Sequence, residues 1–236
     1  MAGTSRNILV TGTSRGIGKS ILAALAGHRV IGHSTKGGEG AIAADLAQPE
    51  AARALWWEAM GALGGRIDVL VNNAGIFEAA PIEQGDEGWL EGWERTMRVN
   101  LTASAELCRL AVLHFRENGG GRIVNVASRA AYRGDSPHHW HYAASKAGMV
   151  GMTKSIARGY GAENILAFAV CPGFTMTGMA EDYLASRGGS KLLADIPLGR
   201  VASTDEVAET VRWLAIDAPP SATGAVIDVN GASYVR

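Results

Sequence analysis

Tyr142 and Lys146 stand four residues apart in Tyr142-Ala-Ala-Ser-Lys146, a spacing that places both side chains on one face of a helix. An ammonium beside a phenol favours the phenolate and lowers a pKa that is ordinarily about 10. A tyrosine so placed can pass protons near neutral pH. Ser128 lies fourteen residues upstream, a hydroxyl able to donate to an oxygen on which charge develops. A Tyr and a Lys four apart mean little alone. Their weight comes from a third feature, Thr11-Gly-Thr-Ser-Arg-Gly16-Ile-Gly18 near the start of the chain. There Gly12 permits a tight turn, Gly16 lets backbone approach a pyrophosphate, and Gly18 allows close helix packing. The helix that follows supplies free N–H groups and a partial positive charge for phosphates. The three features together point to carbonyl–alcohol redox chemistry on a nicotinamide dinucleotide.

These groups come from distant parts of the chain, so a frame must gather them. Short β-branched runs alternate with longer helical patterns, which predicts parallel strands joined by helices. Strands are expected over 7–11, 29–33, 41–44, 68–72, 121–127, 165–170 and 225–229. Helices are expected over 19–26, 89–117, from Tyr142 to about residue 160, and over 204–215 with Thr204 as its N-cap. The glycine-rich link before the third strand is too short for a full helix. Near-continuous apolar strands require cover on both faces, the doubly wound arrangement. Residues 1–236 therefore read as one α/β dinucleotide-binding domain of the Rossmann class, a parallel sheet of about seven strands.

Composition removes other classes. Lys and Arg number 22 against 23 Asp and Glu, so nothing marks a polyanion partner and nucleic acid is not expected. No apolar run is long enough to span a bilayer and the first residues lack a secretory h-region, which predicts a cytoplasmic protein. Cys108 and Cys171 have neither a disulfide framework nor metal-ligand spacing and read as buried thiols. His138, His139 and His141 cluster before Tyr142 with no carboxylate or cysteine to complete a metal site. They are expected on the substrate loop, one or two lining the mouth. Trp56, Trp57, Trp89 and Trp93 are expected on helix faces in the core or at a subunit contact, and Trp213 in the core.

The loop and the second strand also bear on cofactor choice. An NAD site ends its second strand with an acidic residue that holds the ribose 2′-hydroxyl. Here that strand runs into His33-Ser34-Thr35-Lys36, while Arg15 sits within the loop where a cation could meet a 2′-phosphate. NADP(H) is the expected cofactor, with NAD(H) the alternative.

Taken in order, these residues resemble the short-chain dehydrogenase/reductase family over essentially the whole chain. Thr11–Gly18 matches its cofactor loop, Asn72-Asn-Ala-Gly75 its fourth-strand motif, and Asn100 its helix asparagine. Ser128 and Tyr142-x-x-x-Lys146 match its catalytic core, and Pro172-Gly173-Phe-Thr-Met-Thr177 the segment beside the nicotinamide. The tail, Ile196-Pro-Leu-Gly-Arg200 and Asp228-Val-Asn-Gly231, is most similar to the 3-oxoacyl-(acyl-carrier-protein) reductase-like branch. The thirteen residues between Ser128 and Tyr142 make that loop one longer than the family's usual spacing.

The resemblance implies a proton relay. Tyr142 would be general acid in reduction and base in oxidation, and Lys146 would bind the nicotinamide ribose and depress the phenol. Ser128 would donate to the substrate oxygen, and Asn100 would hold a water linking Lys146 to solvent. Gly12, Ser14, Arg15, Gly16, Ile17 and Gly18 would carry the phosphates. Asp45 and Leu46 would meet the adenine, and Asn72, Ala74 and Gly75 would pack on the adenosine. Pro172, Gly173 and Thr175 would position the nicotinamide, Thr177 would reach a phosphate, and residues 174–203 would form a substrate lid. The family implies a small carbonyl or alcohol substrate and a homotetramer or homodimer. The reading is an NADP(H)-dependent ketone/secondary-alcohol oxidoreductase. Its alternatives are an NAD(H)-dependent alcohol or sugar dehydrogenase and a non-catalytic nucleotide sensor. A Rossmann-like methyltransferase is excluded by the missing acid after strand two and by the Tyr/Lys pair.

Overall fold

The computed structural model describes residues 5–176 and 193–236. Seven strands form one parallel sheet: β1 (Asn7–Val10), β2 (Arg29–Ser34), β3 (Ala41–Ala43), β4 (Val69–Asn72), β5 (Gly121–Val126), β6 (Ile165–Pro172) and β7 (Val226–Val229). Their order, β3-β2-β1-β4-β5-β6-β7, reverses direction of travel between β1 and β4. In such sheets ligands bind beyond the carboxyl ends of the strands, at the reversal.

Successive strand residues point to opposite faces, and each face is covered. Leu9, Leu70, Ile123 and Ala167 pack under α2 (Ala51–Ala62) and α4 (Ala103–Glu117), with Trp56 and Phe115 fully buried there. Ile8, Val10, Val71, Val124 and Phe168 face α1 (Gly16–Ala24) and α7 (Thr204–Ile216). Between these lie α3 (Asp86–Met97), the short α5 (Ala130–Arg133) and the long α6 (Trp140–Tyr160). As the glycine-rich spacing predicts, no helix joins β2 to β3. Ser34 Oγ donates to Gly37 O at 3.0 Å and closes a turn in its place.

Several expectations are corrected. The single helix expected over 89–117 is interrupted: α3 ends at Met97, and Arg98–Thr102 form a π-helical turn before α4. An inserted residue of this kind commonly marks a functional site, and the turn holds Asn100. α2 carries Trp56 and Trp57, expected only as helix-face tryptophans, and of these Trp57 is exposed. Trp213 is 36% exposed on α7 rather than in the core. The N-cap of α7 is Ser203, not Thr204. Ser203 Oγ accepts from Glu206 N at 3.1 Å while the Glu206 carboxylate accepts from Ser203 N at 2.7 Å, a reciprocal box. Arg200 grips the same carboxylate through both terminal nitrogens at 2.8 Å, and these hydrogen bonds draw Glu206 down to about 2. Ser203→Ala is expected to cost about 1 kcal/mol, read as a lower urea midpoint at unchanged slope.

Candidate active site

The carboxyl ends of β1, β4, β5 and β6 deliver the loops that the sequence singles out. The glycine loop leaves β1 held from two sides. Gly12 has φ +72°, and an added Cβ would sit 2.7 Å from Ala74 Cα. At Gly18 an added Cβ would fall 2.0 Å from Gly12 O, so α1 packs directly on the turn. Thr11 Oγ1 accepts from Asn73 N and Ala74 N, both at 3.0 Å, and Asn73 Nδ2 returns bonds to Thr11 O and Gly12 O at 3.0 and 2.9 Å. Beyond the turn, α1 has no side-chain cap and no acid in its first turn. Its leading N–H groups are thus uncontested by any capping side chain, which fits a phosphate. Ser14 and Arg15 flank them, both exposed.

The second cluster gathers around the start of α6. Ser128, at the end of β5, accepts from Ala130 N at 3.1 Å through its hydroxyl oxygen and hydrogen-bonds Tyr142. Lys146 is 4% exposed, and its Nζ donates to Val126 O at 2.9 Å. Asn100 is fully buried. Its Oδ1 accepts from Ile76 N at 2.8 Å and its Nδ2 donates to Ile76 O at 3.0 Å. An added Cβ on Gly75 would lie 3.3 Å from Asn100 Oδ1 and 3.4 Å from Lys146 Nζ. Bare backbone at Gly75 therefore lets the two converge. Serine after β5, tyrosine and lysine on α6, and asparagine on the π-turn, three separate segments, thus share one end of the sheet.

The comparisons with known proteins agree with this geometry. Residues 15–232 match the family model described as enoyl-(acyl carrier protein) reductase. The 3-oxoacyl-[acyl-carrier-protein] reductase of Vibrio cholerae is 35% identical, with 96% of each chain covered. The acetoacetyl-CoA reductase of Rhizobium meliloti is 33% identical over 98% of this chain and 99% of that one. Among solved structures, one assigned as an NAD(P)-dependent gluconate 5-dehydrogenase of Beutenbergia cavernae, with NADP at low occupancy, superposes at TM-score 0.87. It shares 30% identity and 98% of each chain is covered. The chain belongs to the short-chain dehydrogenase/reductase family. It is an NAD(P)-dependent oxidoreductase acting on a small molecule.

Within this short-chain dehydrogenase/reductase, one electrostatic expectation is reversed. The sequence predicts that Lys146 depresses the Tyr142 phenol. In the structure Lys146 Nζ lies 5.8 Å from the centroid of the Tyr142 ring and is directed at a backbone carbonyl. Burial then dominates both groups, carrying Tyr142 up to about 12, against the pull of the Ser128 hydrogen bond, and Lys146 down to about 8. The Asn100 amide is engaged with the Ile76 backbone and, through Nδ2, with Ser145 Oγ at 3.3 Å.

Other members of the expected set fall in different places. The Asn72 side chain turns into the core, where Nδ2 donates to Asn125 Oδ1 at 2.9 Å; contact with the glycine loop passes to Asn73, which is not among the expected site residues. Asp45 is exposed and accepts from Ala47 N, whereas Leu46 is a core residue. Pro172 O accepts from Arg129 N at 2.9 Å, Gly173 N donates to Val229 O at 3.0 Å, and Thr175 is buried with its hydroxyl on Gly173 O. Gly16 and Ile17 open α1. Thr177 and most of the expected lid, with Gly178, Met179, Gly188 and Gly189, lie outside the described residues.

The histidines differ in burial, while the rings of His139 and His141 stay 6.2 Å apart. His139 stacks on Phe77 at 3.9 Å between ring centroids, and Phe77 meets Tyr142 edge-on at 4.8 Å. These three rings make one wall beside the phenol. His141 is instead buried next to Trp93, with Nε2 lacking a partner, and His138 is exposed. Phe77 was legible only as an apolar residue after Asn72-Asn-Ala-Gly75. Cys108 and Cys171 are buried free thiols, and burial raises them to about 12 and 11.

Proposed function

We propose that the protein interconverts a ketone and a secondary alcohol, preferring NADP(H), with a 3-oxoacyl-type thioester as the leading substrate class. The observation that carries this reading is the convergence of Ser128, Tyr142 and Lys146 at the end of the sheet that also bears the glycine loop. The named relatives acting on 3-oxoacyl and acetoacetyl thioesters favour the substrate class.

A bound nicotinamide cofactor would supply the hydride that reaches the carbonyl carbon. Everything else falls to the chain. Ser128, its oxygen already fixed by Ala130 N–H, aligns the substrate oxygen with its hydroxyl proton. Tyr142, protonated at neutral pH by its burial, gives its proton to that oxygen as charge builds there. Lys146, whose Nζ donates to Val126 O, would hold the ribose hydroxyls of a bound cofactor and steady the phenolate left behind. Asn100 splints the Ile76 backbone, so that Gly75 remains between it and Lys146. Phe77 and His139 form the apolar wall against which the substrate lies.

Arg15 supports the NADP(H) preference, being an exposed cation at the head of α1 with no acid in the first turn. Arg15→Ala is expected to raise the KM for NADPH about tenfold while moving that for NADH little; equal change in both would reject Arg15 as the 2′-phosphate contact. The function itself is tested with a panel of 3-oxoacyl and trans-2-enoyl thioesters, sugars and simple ketones, each with NADPH and NADH. Reduction of the enoyl double bond with the 3-oxo compounds left untouched would overturn the reading. We also read residues 1–236 as one domain working in the cytoplasm as a homotetramer or homodimer. Among the described residues no helix is long and apolar enough to cross a membrane. Light scattering of the purified protein measures the assembly.

A further inference from the structure

His33 is the penultimate residue of β2, in a stretch that offers no acid for an NAD ribose, and its ring turns inward and is only 3% exposed. Nδ1 lies 3.2 Å from Gly12 N and Nε2 lies 2.9 Å from Ala44 O. The carbonyl can only accept and the amide can only donate. The ring is therefore neutral, with its hydrogen on Nε2 and its lone pair on Nδ1 toward the turn.

The same residue meets the loop through its backbone: Thr13 N and Thr13 Oγ1 both donate to His33 O, at 2.8 and 3.1 Å. Thr13 itself is pressed onto Gly32, where an added Cβ would come within 2.6 Å of Oγ1. On the other side, Ala44 precedes Asp45 and Leu46 and is tied back by one strand-like bond, Ala44 N to Ser34 O at 3.1 Å. With β3 only three residues long and no helix between β2 and β3, the imidazole is the side-chain bridge from the glycine turn to this segment. Burial lowers the ring's pKa and the Ala44 carbonyl raises it, with no charged side chain contributing. The ionisable residues on the segments packed against it, Arg15 and Lys36 on the loop side and Asp45 beyond Ala44, are all exposed.

We propose that His33 is a positioning residue for the adenosine half of the cofactor, its neutral ring splinting the phosphate loop to the adenine-side segment and releasing the loop when it takes up a proton. The proposal rests on the reading that the Gly12–Gly18 loop binds the dinucleotide. Protonation places an N–H on Nδ1 against the N–H of Gly12, replacing a bond by a repulsion inside a mostly buried site. The turn whose φ is +72° then loses its anchor, and cofactor affinity falls on the acid side.

The test titrates wild type, His33→Asn and His33→Leu with NADPH and, separately, NADH, following nucleotide fluorescence from about pH 8 to pH 5. NADH carries no 2′-phosphate, so weakening common to both cofactors cannot come from titration of that group. Wild-type Kd is expected to rise about tenfold toward the acid end for both. In His33→Asn the amide oxygen can take the place of Nδ1 and does not titrate, so binding should stay within about threefold of wild type near neutrality and remain level in acid. His33→Leu should bind about tenfold more weakly at every pH, with kcat at saturating cofactor preserved. The same acid-side loss in His33→Asn as in wild type would overturn the proposal, and so would wild-type affinity in a folded His33→Leu. Should the leucine variant fail to fold, the asparagine profile decides alone. Wild type that binds neither dinucleotide near neutral pH would instead refute the loop reading, and the His33 proposal with it.

Discussion

Tyr142→Phe is expected to lower kcat for ketone reduction by roughly 10²–10⁴-fold while leaving the Kd for the cofactor unchanged. The substitution keeps the ring that Phe77 meets edge-on at 4.8 Å, so the wall of the site survives and only the hydroxyl is lost. Ser128 retains its bond from Ala130 N and can still polarise the substrate oxygen, which sets the residual rate. The pH profiles carry a sign of their own. With the phenol raised to about 12 by burial, Tyr142 holds its proton at neutrality, the form that reduction needs and oxidation does not. Alcohol oxidation should therefore climb as pH rises from about 7 to 10, and reduction should not. Near wild-type reduction by Tyr142→Phe on the true substrate would remove the phenol from the mechanism.

The second large effect concerns the sheet rather than the chemistry. Phe168 lies in the middle of β6, has no solvent exposure, and fills the face covered by α1 and α7. Phe168→Ala removes the ring and leaves a cavity that strand backbones cannot close, a loss of about 3–5 kcal/mol. For a domain of this size that corresponds to a melting temperature lower by roughly 6–20 °C. Trp57→Ala is the control: the side chain is 59% exposed and its removal should change stability by about 0.5 kcal/mol or less. A melting point of Phe168→Ala within a degree or two of wild type would contradict the packing described for that face.

How far the sequence could be read depended on whether local pattern or distant contact governed each residue. The strands were legible because their apolar runs need burial on both sides of a covered sheet, and no helix could fit the glycine-rich link after β2. Gly12 and Gly18 were legible because only glycine tolerates the contacts they make. The π-turn at Asn100 was not: residues 89–117 carry one continuous helical pattern, and the interruption coincides with bonds to Ile76, far away in sequence. The orientations of Asn72 and Asn73 were equally hidden. Adjacent residues at a strand end face opposite ways, and nothing in the letters says which enters the core. The Tyr142–Lys146 pair shows a different limit. Helical spacing correctly puts two side chains on one face, but whether the ammonium reaches the phenol or a carbonyl is decided by Val126 on a neighbouring strand. His33 read as a missing acid, and its inward turn depends on Gly12 and Ala44 being within reach.

The polar chain under the site has its own consequence for assembly of the fold. Asn72 and Asn125 are register partners on β4 and β5, their amides are joined at 2.9 Å, and Asn125 Nδ2 goes on to Thr153 Oγ1 on α6 at 2.8 Å. Sliding β5 by one position would put a valine opposite Asn72 and strand these dipoles in an apolar interior. It would also move Ser128 about 3.3 Å along the strand relative to the helix bearing Tyr142 and Lys146. The asparagines thus act as an alignment key: a misthreaded sheet carries its own penalty, and spacing among the reactive groups is inherited from the one threading that pairs Asn72 with Asn125 and Asn125 with Thr153.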